Sequence, residues 1–511
     1  MPSAPRPERR LTLWPEHSTT GPDLERVPMP YDTAVPHRLL IGGAWEVAQG
    51  HSLPRCDPAT EAARLPVIAA SDAQVLHAVR AAEASGWQTS GRTHRLSALA
   101  QMIEGIEARA ESFAQTISRE IGVPIDFARR SQVEAALNHL RAMQVAYDAT
   151  PDDMPVAPDC PADRVRYEPV GVAALITPWN WPLNQIVLKV GAALLAGCPM
   201  VLKPSELGAD TAMLFAICME DIDLPPGTFN LVMGGADTGA ALVAHPAIAA
   251  VSFTGSTRAG QSIAIAAAQG FRRTILEMGG KSPNVLFEDC DVDTAMRQGL
   301  AHCFRNNGQS CNAASRMLVA RGIYEKALEK AAQIVAEIHI GLPDQPGDHI
   351  GPQVSAAQHA HVQHLLQSGI DAGARLVVGG PGRPEGYTRG YFTRPSVLAD
   401  VTPEMRVFRE EIFGPVLTVT PFDSEAEAIA LANDTPYGLA GYVQTADAAC
   451  ADRMARALRV GMVQVNGQSR APGAPFGGVK ASGVGREAGL WGIRAFQDVK
   501  SISGAVSDAS I

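Results

Sequence analysis

Three side chains in this sequence have the types and settings that covalent chemistry at a polar cleft requires: Cys311, Glu277 and Asn180. Cys311 lies in "NNGQSCNAAS", residues 306–315. A free cysteine is most often a small buried hydrophobe. Here Gly308 permits a tight approach of the backbone, and Ser310 and Asn312 keep the surroundings polar. A nucleophilic thiol needs such access, with local groups that favour thiolate. Glu277 lies in "TILEMGGKSPN", after an apolar run and before Gly279-Gly280. Strand-end carboxylates usually face water, but a glycine pair opens space above this one. A partly desolvated glutamate has a raised pKa and can act as a general base. Asn180 lies in "TPWNWPLNQ", a loop stiffened by two prolines and two tryptophans. An asparagine there serves as a turn or cap residue, or as a fixed amide donor to a developing oxyanion.

A second group reads as ligand-binding. In "VLKPSE", Ser205 suits a helix N-cap and Glu206 the first turn. The functional alternative is ribose binding, since a carboxylate takes two ribose hydroxyls and repels a 2′-phosphate. In "FTGSTRAG", Gly255-Ser256 reads as an N-cap or as a phosphate seat at a helix start. In "REEIFGPV", Glu410 and Glu411 precede Phe413 and Gly-Pro at once, which is unusual for a solvated charge run.

The elements that must position these groups follow from periodicity. Residues 71–90 and 95–147 read as long helices. "VGVAALIT", "PMVLKPS", "TFNLVMG" and "AAVSFTGS" read as buried strands. They alternate with helices over 182–196, 208–219, "DTGAALVAH" and 256–268. That rhythm implies a parallel sheet covered on both faces, with ligands at the carboxyl ends of its strands. A second α/β run has strand candidates in "NVLFED", "SRMLVA", "ARLVVGG", "PVLTVTPF", "AGYVQT" and "GMVQVN".

The 511 residues imply two or three domains. Forty-six per cent hydrophobic and 19% charged residues are the balance of a globular protein. A net charge of −10 argues against nucleic acid as a partner. Eight scattered cysteines, without CxxC pairs, indicate reduced thiols and a cytoplasmic protein. No metal site is expected, and no membrane span. The proline-rich residues 1–36 read as an extended arm. "GGKS" at 279–282 is not a Walker A loop, because Ile275 stands where its first glycine belongs. There is no GxSxG elbow and no HExxH.

"TPWNWPLNQ", "VLKPSE", "FTGST", "LEMGGKSPN", "NNGQSCN", "EEIFGPV" and "APFGGVKASGVGRE" resemble, in order and spacing, the motifs of the aldehyde dehydrogenase superfamily, from about residue 37 onward. The resemblance implies an α/β fold with a Rossmann-like cofactor domain (37–146 and 169–278), an α/β catalytic domain (279–480) and a small β oligomerisation flap (147–168 and 488–511). It implies NAD, or alternatively NADP, and oxidation of an aldehyde to an acid through a cysteine hemithioacetal and thioester. Cys311 then matches the nucleophile, Glu277 the base and Asn180 the oxyanion donor. Lys189, with Glu487, matches positions near a proton path. Trp179, Lys203, Ser205, Glu206, Gly255, Ser256, Gly279, Glu411 and Phe413 match the cofactor site. Trp181, Gln185, Leu188, Ser310, Asn312 and Phe476 surround the expected substrate tunnel. The Leu188 position departs from the Trp of acetaldehyde-type members, and Arg470 stands either as a carboxylate ligand or as a solvated loop residue. Glu277 argues against the CoA-acylating branch, which stays open with semialdehyde oxidation as an alternative. A homodimer or homotetramer is implied.

Overall fold

The computed structural model describes residues 37–504. The extended arm expected over 1–36, and residues 505–511, lie outside the described residues. The alternating apolar runs form an eight-stranded sheet. Its order is Gly483–Val484, Arg273–Glu277, Ile248–Thr254, Val172–Thr177, Met200–Pro204, Phe229–Leu231, Arg38–Ile41 and Ala44–Val47. The five central strands are mutually parallel, and both edges are antiparallel. After the edge pair Arg38–Ile41 and Ala44–Val47, the parallel part starts at Val172–Thr177, adds strands on one side, then returns to add Ile248–Thr254 on the other. That reversal opens a crevice at the carboxyl ends of the two strands.

The helix Pro182–Ala196 begins just beyond this crevice, with proline at its first position, and ends on left-handed Gly197. It is buried around most of its circumference, so it lies inside the molecule rather than on its surface. The second sheet has seven strands, ordered Arg375–Val378, Ser396–Ala399, Val416–Phe422, Arg316–Ala320, Pro283–Leu286, Ala440–Gln444 and Met462–Val465. Only the first pair is antiparallel. Gln497–Ile502, Arg164–Pro169 and Asp153–Pro155 form a separate antiparallel sheet.

Two sequence expectations change. The helix expected over 95–147 is several: Arg92–Glu107, Ala110–Ile121 and Glu134–Asp148, joined by short turns. Gly122, at φ 77°, ends the second, and Pro124 prevents immediate continuation. A π-helical stretch, Ala128–Val133, follows. The helix expected over 71–90 stops at Ala84, and Gly86, at φ 72°, turns the chain into a short 3₁₀ segment. The strand Ser396–Ala399 and the hairpin Ser52–Cys56/Ala63–Ile68 were not among the sequence candidates.

That hairpin is tied to the first sheet's helices by a buried charge cluster. Arg55 donates to Glu120 at 3.3 Å and to Asp210 at 3.0 Å. Arg64 reaches the other Asp210 oxygen at 2.5 Å. Glu120 accepts from the backbone N–H groups of Asp210 and Thr211. Removing one partner leaves an uncompensated buried charge. Arg55→Met should therefore destabilise the fold by about 3–5 kcal/mol, read from the urea midpoint; a shift under about 1 kcal/mol would show that water replaces the guanidinium.

Candidate active site

The crevice receives the loops that follow three parallel strands of the first sheet. Pro178-Trp179-Asn180 follow Val172–Thr177, Gly255-Ser256 follow Ile248–Thr254, and Met278-Gly279 follow Arg273–Glu277. Facing them are segments that precede strands of the second sheet. Cys311 comes before Arg316–Ala320, and Glu411 and Phe413 before Val416–Phe422. The carboxyl edge of one sheet thus meets the amino edge of the other across a cleft of about 230 Å³. Nine residues singled out from sequence line it: Trp179, Asn180, Gly255, Ser256, Glu277, Gly279, Cys311, Glu411 and Phe413.

The thiol sits on an unusual turn. Asn306 (φ 59°, ψ 37°) and Asn307 (φ 58°, ψ 27°) are both left-handed, and Gly308 follows at φ 76°. A Cβ at Gly308 would strike the backbone of Gly414 and Pro415. Side-chain amides hold the turn. Asn306 Nδ2 donates to the carbonyls of Asn180 (2.8 Å) and Gln309 (3.0 Å). Gln132 Nε2 donates to Asn180 O (3.0 Å) and Asn306 Oδ1 (2.9 Å). Asn307 Nδ2 donates to the carbonyls of Gly122 and Pro352, and its Oδ1 accepts from Gly351 N–H. Asn180 Nδ2 donates to Gln309 O at 3.0 Å. An amide nitrogen carries two hydrogens, so a second N–H of Asn180 remains for a ligand oxygen.

Glu277 is 1% exposed. Neither of its oxygens meets a donor at hydrogen-bonding geometry, although the Cys311 thiol is near enough to act on it. Burial first, then the neighbouring Glu487 carboxylate, push its pKa well above the ordinary value, while Lys189 opposes them. Lys189 is buried, pairs with Glu487 and donates to Thr254 Oγ1 at 2.8 Å. Burial, then Glu277 and Glu411, push the Cys311 thiol up. Glu411 accepts from Gly280 N–H at 3.0 Å, and burial raises it to about 7.

The remaining sequence candidates fall elsewhere. Lys203 is buried and donates to the carbonyls of Gly234 (2.7 Å) and Pro204 (3.0 Å). Ser205 caps a short 3₁₀ turn and donates to the half-buried Glu206 at 3.2 Å. These three lie along the strand ends but not among the residues lining the cleft. Gln185 and Leu188 are buried on the helix Pro182–Ala196, also off the cleft lining. Trp181 Nε1 donates to Ser310 Oγ at 3.0 Å, Asn312 O accepts from Tyr442 at 2.8 Å, and Phe476 pairs its backbone with Glu487. Arg470 is half-buried, with its guanidinium over Phe476, which removes the reading of a solvated loop arginine.

Sequence reasoning missed the groups that hold the site. Gln358 donates to the carbonyls of Ile412 and Phe413, and His361 Nε2 lies 3.1 Å from Glu411 O. Both come from one face of the helix Ala356–Asp371, at i and i+3, and both line the cleft. Their spacing was visible; their partners, some 50 residues away, were not.

Comparison with known proteins gives a consistent result. A model of the aldehyde dehydrogenase family matches residues 45–502. A 3-succinoylsemialdehyde-pyridine dehydrogenase from a Pseudomonas species is 42% identical, over 91% of this chain and 98% of its own. The crystal structure of an aldehyde dehydrogenase from Bartonella henselae aligns with TM-score 0.90 at 46% identity, covering 92% of this chain and 99% of that one. A mutant aldehyde dehydrogenase C from Pseudomonas syringae, complexed with NAD+ and octanal, aligns with TM-score 0.90 at 42% identity, covering 94% and 99%.

The thiol's electrostatics can be tested without substrate. A carboxylate beside a thiol disfavours the thiolate, so removing it lowers the thiol pKa. The pH midpoint for alkylation of Cys311 by iodoacetamide should lie above that of a free cysteine and should fall in Glu277→Gln. A rise in the variant would mean that Glu277 draws the proton from the thiol instead.

Proposed function

This chain belongs to the aldehyde dehydrogenase family, and from that premise we propose how its cleft oxidises an aldehyde to a carboxylic acid. Family members use NAD or NADP, and the cleft suits the nicotinamide end of such a cofactor. Trp179 and Phe413 meet edge to face, 5.5 Å apart. The half-buried Glu411 can take ribose hydroxyls. The helix Thr257–Ala268 opens beside them at Gly255-Ser256, where its N-terminus suits phosphate. Gly279 lies so close to Glu411 that a Cβ would collide with the carboxylate. Lys203, Ser205 and Glu206 extend this line toward an adenosine ribose, and Glu206 would repel a 2′-phosphate, which favours NAD. When bound, the dinucleotide supplies a two-electron acceptor for hydride.

The protein's own groups do the rest. The Cys311 sulfur, attacking as the thiolate, bonds the aldehyde carbon, and the C=O π electrons move onto oxygen. The second N–H of Asn180 and the backbone N–H of Cys311 hold that oxyanion, the kind of interaction that strengthens only as charge develops. Loss of hydride from the carbon leaves a thioester on Cys311. Glu277 takes a proton from water as the water oxygen attacks the thioester. The acid departs, and the sulfur leaves as thiolate. Lys189 and Glu487 act as positioning residues, tuning Glu277 from beneath. The observation that carries this reading is the meeting of Cys311, Glu277 and Asn180 in one cleft. A buried carboxyl with both oxygens free favours water over CoA as the acyl acceptor.

The same reading extends to Trp181, Ser310, Asn312 and Phe476 as the walls of the substrate entrance, with Gln185 and Leu188 supporting them from the helix behind. A second copy would pair along the small antiparallel sheet, whose edge strand exposes Val499. All eight cysteines are free, which fits a reducing, cytoplasmic setting. No helix among the described residues is long and apolar enough to cross a membrane.

Asn180→Ala should lower kcat by roughly 10²–10³, measured as NADH formation from octanal without CoA. Retention of full rate would remove Asn180 from the oxyanion site. Cys311→Ala should abolish NADH formation while NAD still binds, read by quenching of tryptophan fluorescence; residual steady turnover would overturn the covalent route.

A further inference from the structure

The residues just past the thiol are held by a chain of hydrogen bonds that the oxidation chemistry does not use. Residues 312–314 lie between Cys311 and the strand Arg316–Ala320 and belong to no helix or strand. Ala313 N–H closes a turn onto Ser310 O at 3.1 Å. The other two anchors are side chains. Ala314 N–H donates to His302 Nδ1 at 3.3 Å, and Asn312 O accepts from the Tyr442 hydroxyl at 2.8 Å. His302 Nε2 and Tyr442 Oη are themselves 3.2 Å apart, and the ring centres 4.6 Å. His302 stands in the last turn of the helix Val292–Phe304, and Tyr442 in the middle of the strand Ala440–Gln444. Neither falls within the motifs that carry the family resemblance.

The protons of this chain can be arranged in only one way. A ring nitrogen that accepts from Ala314 N–H carries no proton, so neutral His302 has its proton on Nε2. Nε2–H then donates to the tyrosine oxygen, which leaves the tyrosine O–H to donate to Asn312 O. A proton on Nδ1 would set two N–H groups against each other. The surroundings keep the ring neutral: burial first, then the neighbouring Arg305, hold its pKa down at about 4. Burial, then Cys311, push the Tyr442 hydroxyl up against the opposing Arg470 and Arg305, so it stays a donor.

The chain fixes the far side of the nucleophile. The asparagine turn secures the backbone before Cys311. After it, the Asn312 N–H bonds the sulfur and favours the thiolate. The peptide that carries this N–H is confined on both sides. Cys311 O packs so closely on Gly280 that a Cβ there would strike it, and Asn312 O is held by Tyr442.

We infer that His302 and Tyr442 are positioning residues for the nucleophile: through Ala314 N–H and Asn312 O they hold the peptide whose N–H supports the Cys311 thiolate. This rests on the reading of Cys311 as the nucleophile of an aldehyde-oxidising cleft. In this role neither side chain touches the reacting atoms.

The test uses Tyr442→Phe and His302→Phe, which keep a ring at each place, the double variant, and His302→Asn, whose amide oxygen can stand in for Nδ1. Two quantities are read: the pH midpoint for alkylation of Cys311 by iodoacetamide without substrate, and the first-turnover rate of NADH formation from octanal. Both replaced groups are neutral at working pH, and Glu277 and Glu411, which face the thiol from the other side, are untouched. A merely structural contact would therefore leave the midpoint where it stands in the wild type. Loosening the Asn312 N–H should raise the midpoint by about 0.5–1 pH unit in each Phe variant. The first-turnover rate should fall roughly tenfold, with KM for NAD unchanged. His302→Asn should recover part of both. The double variant should match the slower single one, because the bonds form one chain. An unmoved midpoint in Tyr442→Phe overturns the inference, and that variant decides alone if His302→Phe does not fold. Losses that add in the double variant overturn the chain. If the wild type reduces no NAD with any aldehyde, the reading of the cleft falls, while the alkylation midpoints still decide whether His302 and Tyr442 position the thiol.

Discussion

Two consecutive asparagines in the left-handed conformation fix where the thiol stands. For non-glycine residues that conformation costs about 1 kcal/mol or more each, and it persists only where the surroundings over-determine it. Here they do. Asn306 is clamped by Gln132, Asn180 and Gln309, and Asn307 by Gly122, Gly351 and Pro352. The clamp joins the loop before Arg316–Ala320 to the loop after Val172–Thr177, so one network sets the positions of both Cys311 and Asn180. Gln132 belongs to the π-helical stretch Ala128–Val133. Such stretches often mark functional sites because they re-aim a side chain that a regular helix would point elsewhere.

Around that turn the electrostatics are set by scarcity of water and of cations. Glu277, Glu411 and Glu487 share a desolvated region with Lys189 as the paired cation. Lys281, buried without a hydrogen-bond partner, is lowered to about 7 by burial, so it offers little compensation. A carboxylate whose pKa is raised by its surroundings is a stronger base than an exposed one. The same surroundings raise the thiol. Burial thus disfavours the charged forms of both Glu277 and Cys311 in this cleft.

Much of this was legible in the sequence, for identifiable reasons. The strands of the first sheet are short apolar runs at a regular spacing, and the chemistry sits where each run ends: Asn180, Gly255, Glu277. Cys311 stood out by its glycine and small polar neighbours. What could not be read were pairings across the chain. Nothing near Gln358 or His361 announces that they carry the carbonyls before Val416–Phe422. The strand Ser396–Ala399 is a four-residue run after a proline-rich loop, too short for periodicity to show. The helical reading of 95–147 ran through Gly122 and Pro124 because the flanking apolar spacing continues on either side. The edge strand Gly483–Val484 has two residues and exists only because Arg273–Glu277 offers it a partner.

The central claim is that Cys311 carries the acyl group and that Glu277 drives its release by water. The most direct measurement is intact-protein and peptide mass spectrometry of Glu277→Gln after mixing with aldehyde and NAD. The account predicts one equivalent of NADH per site and an acyl adduct located on Cys311. Undiminished steady turnover with an unmodified Cys311, or an adduct on a different residue, would contradict it.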